Sequence, residues 1–84
     1  MTQHTMAETR QAEPATFPTT VAHLRERPVV PIWSATEPNA AGALRMGRSH
    51  AYALAKRGEI PTLKLGRRVV APSARLLALL GVED

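Results

Sequence analysis

Glycine and proline set the length scale of this chain. From residue 47 onward it meets Gly47, Gly58, Gly66, Pro72 and Gly81, residues that end or turn regular backbone, so no helix or strand in this region runs much beyond about ten residues. A chain cut this finely folds only by packing several short elements around a shared core. With 84 residues it makes one small domain at most, and the core is thin.

Between these breaks basic side chains accumulate. Residues 45–75 hold Arg45, Arg48, Lys56, Arg57, Lys64, Arg67, Arg68 and Arg75 against the single acid Glu59, while the flanking residues are net acidic. Concentrating like charge in a small domain costs self-repulsion, so the pattern predicts a polyanionic partner, nucleic acid or an anionic membrane. Cysteine is absent, which removes disulfides and thiolate metal sites and any dependence on an oxidising compartment. No signal-peptide run opens the chain, and nothing approaches the roughly 20 apolar residues of a membrane span. These features predict a cytoplasmic protein with no cofactor and no bound metal.

Residues 1–31 read as a flexible N-terminal tail: rich in Thr, Ala and Glu, broken by Pro14, Pro18, Pro28 and Pro31, and poor in large apolar side chains. A short helical turn over Val21–Glu26 is compatible with this and stops at Pro28. Arg25 and Arg27, beside Glu26, read as a solvated pair rather than a groove-reaching arm. The folded domain is expected over residues 32–84, beginning at Ile32 and Trp33. Thr36, Glu37 and Pro38 suit a helix start, and that helix runs through Ala40, Ala41, Ala43 and Leu44 to end near Gly47, with Trp33 as an anchor packed over its beginning.

The next element carries the argument. With Ser49 as N-cap, Ala51, Leu54 and Ala55 recur at helical spacing until Gly58 stops the helix. Ser49, Tyr52, Ala53, Lys56 and Arg57 fall on or near the opposite face. Two short helices across the turn Arg45-Met46-Gly47-Arg48 make a helix-turn-helix, whose second helix presents its N-terminal residues to a DNA major groove. After Gly58 the period becomes alternating. Leu63-Lys64-Leu65, Gly66-Arg67-Arg68 and Val69-Val70-Ala71 predict a hairpin with a three-residue loop that pairs Leu65 with Val69 and carries two arginines at its tip, a wing. Pro72 and Ser73 open a last helix, Ala74 to Leu80, whose leucines at 76, 77, 79 and 80 are too dense to face solvent. The fold class is therefore mainly α with a small β-hairpin wing, a winged helix-turn-helix.

Residues 44–80, LRMGRSHAYALAKRGEIPTLKLGRRVVAPSARLLALL, resemble the excisionase or MerR-like winged helix-turn-helix family of bacteria and their phages. The features that match are Gly47-Arg48-Ser49, Tyr52, Arg57-Gly58-Glu59-Ile60-Pro61, Gly66-Arg67-Arg68, Pro72 and Leu76 to Leu80. The first helix departs from the family's Glu-Ala-Ala run, with Pro38, Asn39 and Gly42 in that region. The resemblance implies double-stranded DNA binding without catalysis, in recombination directionality or in transcriptional control, in a bacterial host.

Ser49 and His50 are then the candidates for base edges, because that end of the helix points into the groove. Arg48, Tyr52, Lys56 and Arg57 hold the backbone, as do Lys64, Arg67 and Arg68 from the wing. Tyr52 suits half-buried packing equally well, and Arg45 and Arg75 suit covering apolar surface with their stems. Only Val82, Glu83 and Asp84 follow Gly81, which predicts a monomer that self-associates on neighbouring DNA sites, bends them and assists an integrase. The alternative is a small MerR-like transcriptional regulator.

Other classes fit less well. His4, His23 and His50 are scattered, and no carboxylates converge, which disfavours an enzyme. The inner face of residues 49–57 is mainly alanine, which disfavours a membrane-surface helix. Tyr52 is the one aromatic platform in the motif region, which disfavours single-strand RNA reading. A protein-interaction module remains the other rival.

Overall fold

The structure, a computed structural model, describes residues 15–82. Four helices and three strands follow in the order α1 (Val21–Arg25), β1 (Val29–Pro31), α2 (Ala40–Ala43), α3 (Arg48–Lys56), β2 (Leu63–Leu65), β3 (Arg68–Pro72) and α4 (Ser73–Leu79). The three strands form one antiparallel sheet with order β1-β3-β2. The molecule is therefore α+β, not mainly α with an isolated hairpin. The physical reason is β1, which the expected tail boundary excluded and which pairs Val29 with Pro72, Val30 with Ala71 and Pro31 with Val70.

The boundary expected at residue 31 is corrected accordingly. Thr20 caps α1 by accepting from the His23 amide, and the His23 ring nitrogen Nδ1 accepts from the Thr20 amide at 3.0 Å, a capping box with His in the acid's place. This one-turn helix buries Leu24 against α4, and Val30 is 0% exposed. These two side chains reach the same core, and the pairing of β1 with β3 and the Ser73 amide on the Pro28 carbonyl hold the backbone of the segment. Residues 1–14 of the expected tail lie outside the described residues.

Alternation along β3 assigns the sheet faces. Val30 and Ala71, directly paired, are fully buried on the face that meets the helices, together with Leu24, Ile32, Ala40, Ala41, Ala51, Ile60 and Leu76. This cluster takes a residue from every element except β2, whose three residues are all exposed.

Two helix starts differ from expectation. The helix α2 begins at Asn39, not at Thr36, because the Asn39 carboxamide oxygen accepts from the Gly42 amide at 2.8 Å. The helix α3 begins at Gly47 with no side-chain cap, which places Ser49 inside the first turn rather than at its cap. The last helix spans Ser73–Leu79 with Pro72 as cap, and only Leu76 and Leu77 of its four leucines pack inward; Leu79 and Leu80 are exposed. The core beneath α4 is too small to cover its last turn.

Candidate nucleic-acid interface

The helix α3 lies on the core through Ala51, which is fully buried, with Leu54 and Ala55 half-buried beside it. Alanine at the contact lets the helix backbone sit close to its neighbours, and the opposite face is left to Ser49, His50, Tyr52, Ala53, Lys56 and Arg57, all exposed. The spacing read from the sequence thus gives the observed orientation. A glycine cap without a side chain leaves the first-turn amides of Arg48, Ser49 and His50 open to an acceptor from outside, and partial positive charge collects there.

The turn before α3 is held from an unexpected quarter. The Trp33 indole Nε1 donates to Thr16 Oγ1 at 3.0 Å, and Thr16 Oγ1 donates in turn to the Met46 carbonyl at 3.5 Å. Trp33 is packed against the core, and the Arg48 guanidinium lies over its ring at 5.3 Å from the centroid. Trp33 is thus tied to the start of α3, where it holds Arg48 in place by cation–π attraction. Thr16 escapes a reading of the sequence because nothing local marks it: its partners are 17 and 30 residues away.

The hairpin register differs by one residue from the expected one. Leu65 pairs with Arg68, Lys64 with Val69 and Leu63 with Val70, so the loop is the two residues Gly66-Arg67. Gly66 takes φ +62° at the first loop position, the conformation of a II′-type turn whose twist matches the strands. A slip of one residue exchanges faces. Lys64 consequently shares Val69's face, the one turned towards α3, while Arg68 lies on the other face beside Leu65. Arg67 stays at the tip, and all three basic residues are exposed.

A cleft of about 430 Å³ separates α3 from the hairpin, lined by Ile32, Tyr52, Ala55, Lys56, Thr62 and Val69. It brings Tyr52 and Lys56 from one side to the same space as Val69 from the other. Glu59, the one acid in the motif region, sits at the end of α3 and is engaged by Arg57 at 3.0 Å; both side chains are more than half exposed. This pair leaves the charge of Lys56 on the cleft wall and of Lys64, Arg67 and Arg68 on the hairpin uncancelled by Glu59. Among the described residues no three of His, Cys, Asp and Glu gather as metal ligands, and no helix is long and apolar enough to cross a membrane.

Compared with models of protein families, with curated proteins and with solved structures, the chain gives no significant match.

Proposed function

We propose that this protein is a sequence-specific binder of double-stranded DNA, built as a winged helix-turn-helix with α3 as recognition helix and the β2–β3 hairpin as wing. The observation that carries the reading is that α3 and the hairpin flank one cleft while their basic side chains point to solvent and the local acid is spent on Arg57. Ser49 and His50 read base edges from the first turns of α3. Arg48, held on Trp33, together with Tyr52 and Lys56, grips phosphate and sugar on the major-groove side; Lys64, Arg67 and Arg68 do so from the wing. Arg57 contributes less, because Glu59 competes for it.

Titration of a labelled duplex at several salt concentrations tests this reading. About five phosphate contacts give a slope of log affinity against log salt near −4 to −5. A slope near zero removes DNA from consideration and leaves the protein-interaction module.

Within that reading we propose the excisionase-type role, a recombination directionality factor that binds and bends attachment-site DNA to assist an integrase. The resemblance of residues 44–80 supports it, and so does footprint: a nine-residue recognition helix with one short wing covers few base pairs, so specificity for a long site needs several copies side by side. Bending has an elastic cost of about 1–6 kcal/mol, which repeated helix and wing contacts offset. A band-shift ladder on progressively longer DNA, with a bending assay, decides the matter. A dimer on one palindrome with straight DNA identifies the transcriptional regulator instead.

A further inference from the structure

We infer that the outer face of the β2–β3 hairpin is a contact surface for an anionic phospholipid bilayer. The inference goes beyond the DNA-binding reading and does not depend on it, because the face concerned is the one turned away from α3.

Directly paired residues of an antiparallel sheet share a face. One face of the hairpin carries Lys64 and Val69, and Val69 lines the cleft with α3. The outer face carries Leu63 beside Val70 and Leu65 beside Arg68, and Pro31 of β1 continues it on the far flank of Val70. An antiparallel sheet with one solvated face ordinarily turns its polar residues to water. The strand β2 does the reverse: its lysine lies on the side of α3, and its two leucines point outwards, 43% and 48% exposed.

The charge beside these leucines selects the kind of apolar partner. Arg68 lies on the leucine face and Arg67 at the tip, and the sequence holds no acid from Ile60 to Val82. A bilayer of acidic lipid offers what both residue types need, with phosphates at its surface and an apolar layer directly beneath. The leucines enter the boundary between headgroups and acyl chains, and the arginines keep their guanidinium groups at the phosphates. Each basic side chain near such a surface is worth roughly five-fold in partition, and leucine burial adds a contribution that salt does not screen. The loop between the strands is only Gly66-Arg67, so leucines and arginines meet one surface together. Side chains that project from a three-residue strand suit a fluid layer that closes around them.

The experiment mixes the full chain at low salt with vesicles of phosphatidylcholine alone, or of phosphatidylcholine with an equal amount of phosphatidylglycerol, and measures the bound fraction by sedimentation. The expected result is binding to the anionic vesicles and not to the neutral ones at the same lipid concentration. The variant L63T/L65T, whose threonines keep strand propensity at exposed positions, is expected to partition into anionic vesicles more weakly by roughly five-fold or more and to bind duplex as the wild type does. Should the double variant lose its cooperative melt, L65T alone takes its place, with an expected loss of roughly two-fold or more. Absence of binding to anionic vesicles overturns the inference, and so does equal partition of the wild type and a leucine variant that melts cooperatively, which reduces the contact to charge. Loss of side-by-side loading on duplex in that variant, with vesicle binding unchanged, also overturns it and assigns the face to a second copy. A chain that binds anionic vesicles through the leucines but binds no duplex sustains the inference and removes the DNA reading.

Discussion

At the scale of single residues, Asn39 and Gly42 at the first helix of the pair have a structural cause. A Cβ on Gly42 would lie 2.1 Å from the Phe17 carbonyl oxygen and 2.6 Å from Thr19 Oγ1, so glycine is required for residues 17–19 to cross α2 this closely. Asn39, wholly buried, ties the same crossing: its carboxamide nitrogen donates to the carbonyls of Phe17 and Glu37, and its amide donates to Thr19 Oγ1. G42A is expected to destabilise the protein by about 2–3 kcal/mol through overpacking, read as a fall in melting temperature of roughly 10 °C or more. The opposite sign is expected at Arg45, which holds φ +59° at the end of α2. Relief of that strain is worth about 1–2 kcal/mol, and the greater unfolded-state entropy of glycine takes back about 0.5–1. R45G should therefore raise stability by about 0.5–1 kcal/mol in denaturant titration; a loss would show that the Arg45 side chain stabilises the turn by more than its backbone strains it.

At the scale of elements, one closing device recurs. The helices α2, α3 and α4 all end with a left-handed residue, Arg45, Gly58 and Gly81, flanked by paired reverse hydrogen bonds: Met46 to Ala41 and Arg45 to Gly42, Glu59 to Leu54 and Gly58 to Ala55, Val82 to Leu77 and Gly81 to Ala78. Two of the three were legible from glycine, and the third was hidden because an arginine occupies it. The hairpin shows how one residue of register matters to function. Because Lys64 shares the hairpin face of Val69 and Arg68 lies on the opposite face, K64A is expected to weaken duplex binding more than R68A, by several-fold at low salt, and to reduce the salt slope by about one contact. Equal losses would mean that both faces of the hairpin meet DNA. Ser49 and His50, set inside the first turn of α3, are expected to separate from these: alanine there lowers the preference for specific over random duplex, whereas R67A lowers both affinities together. Competition assays with the two DNAs for each variant measure that split.

At the scale of the whole molecule, the sheet joins the ends of the folded region. The central strand β3 is bordered by β2 from its own hairpin and by β1, more than thirty residues earlier, and Ser73 at the head of α4 donates its amide to the Pro28 carbonyl at 2.9 Å. A chain beginning at Ala15 should keep the cooperative melt and Trp33 emission of the full chain, whereas one beginning at Ile32 should lose both. Removing Leu24 and Val30 takes about 2–5 kcal/mol each from a core, and a domain of this size holds only about 5–15 kcal/mol in total. Persistence of a cooperative melt without residues 15–31 would show that β1 and α1 are accessory.

What the sequence determined by itself were the local features: where α3 ends, which of its faces is apolar, that a glycine turn joins two short strands, and that the basic residues fall on α3 and the hairpin. Each follows from interactions between residues within a few positions of one another, which periodicity and glycine report directly. Tertiary structure decided the rest. Residues 15–31 look too poor in apolar side chains to fold alone, yet Leu24 and Val30 are buried because partners exist for them on α4 and β3. Hairpin register depended on which of two loop lengths the Gly66 turn takes, and because β2 buries none of its residues its own pattern does not choose between them. Arg48 lies on Trp33, and Gly42 beneath Phe17, for the same reason: each contact joins segments distant in sequence, and only packing of the whole chain brings them within reach.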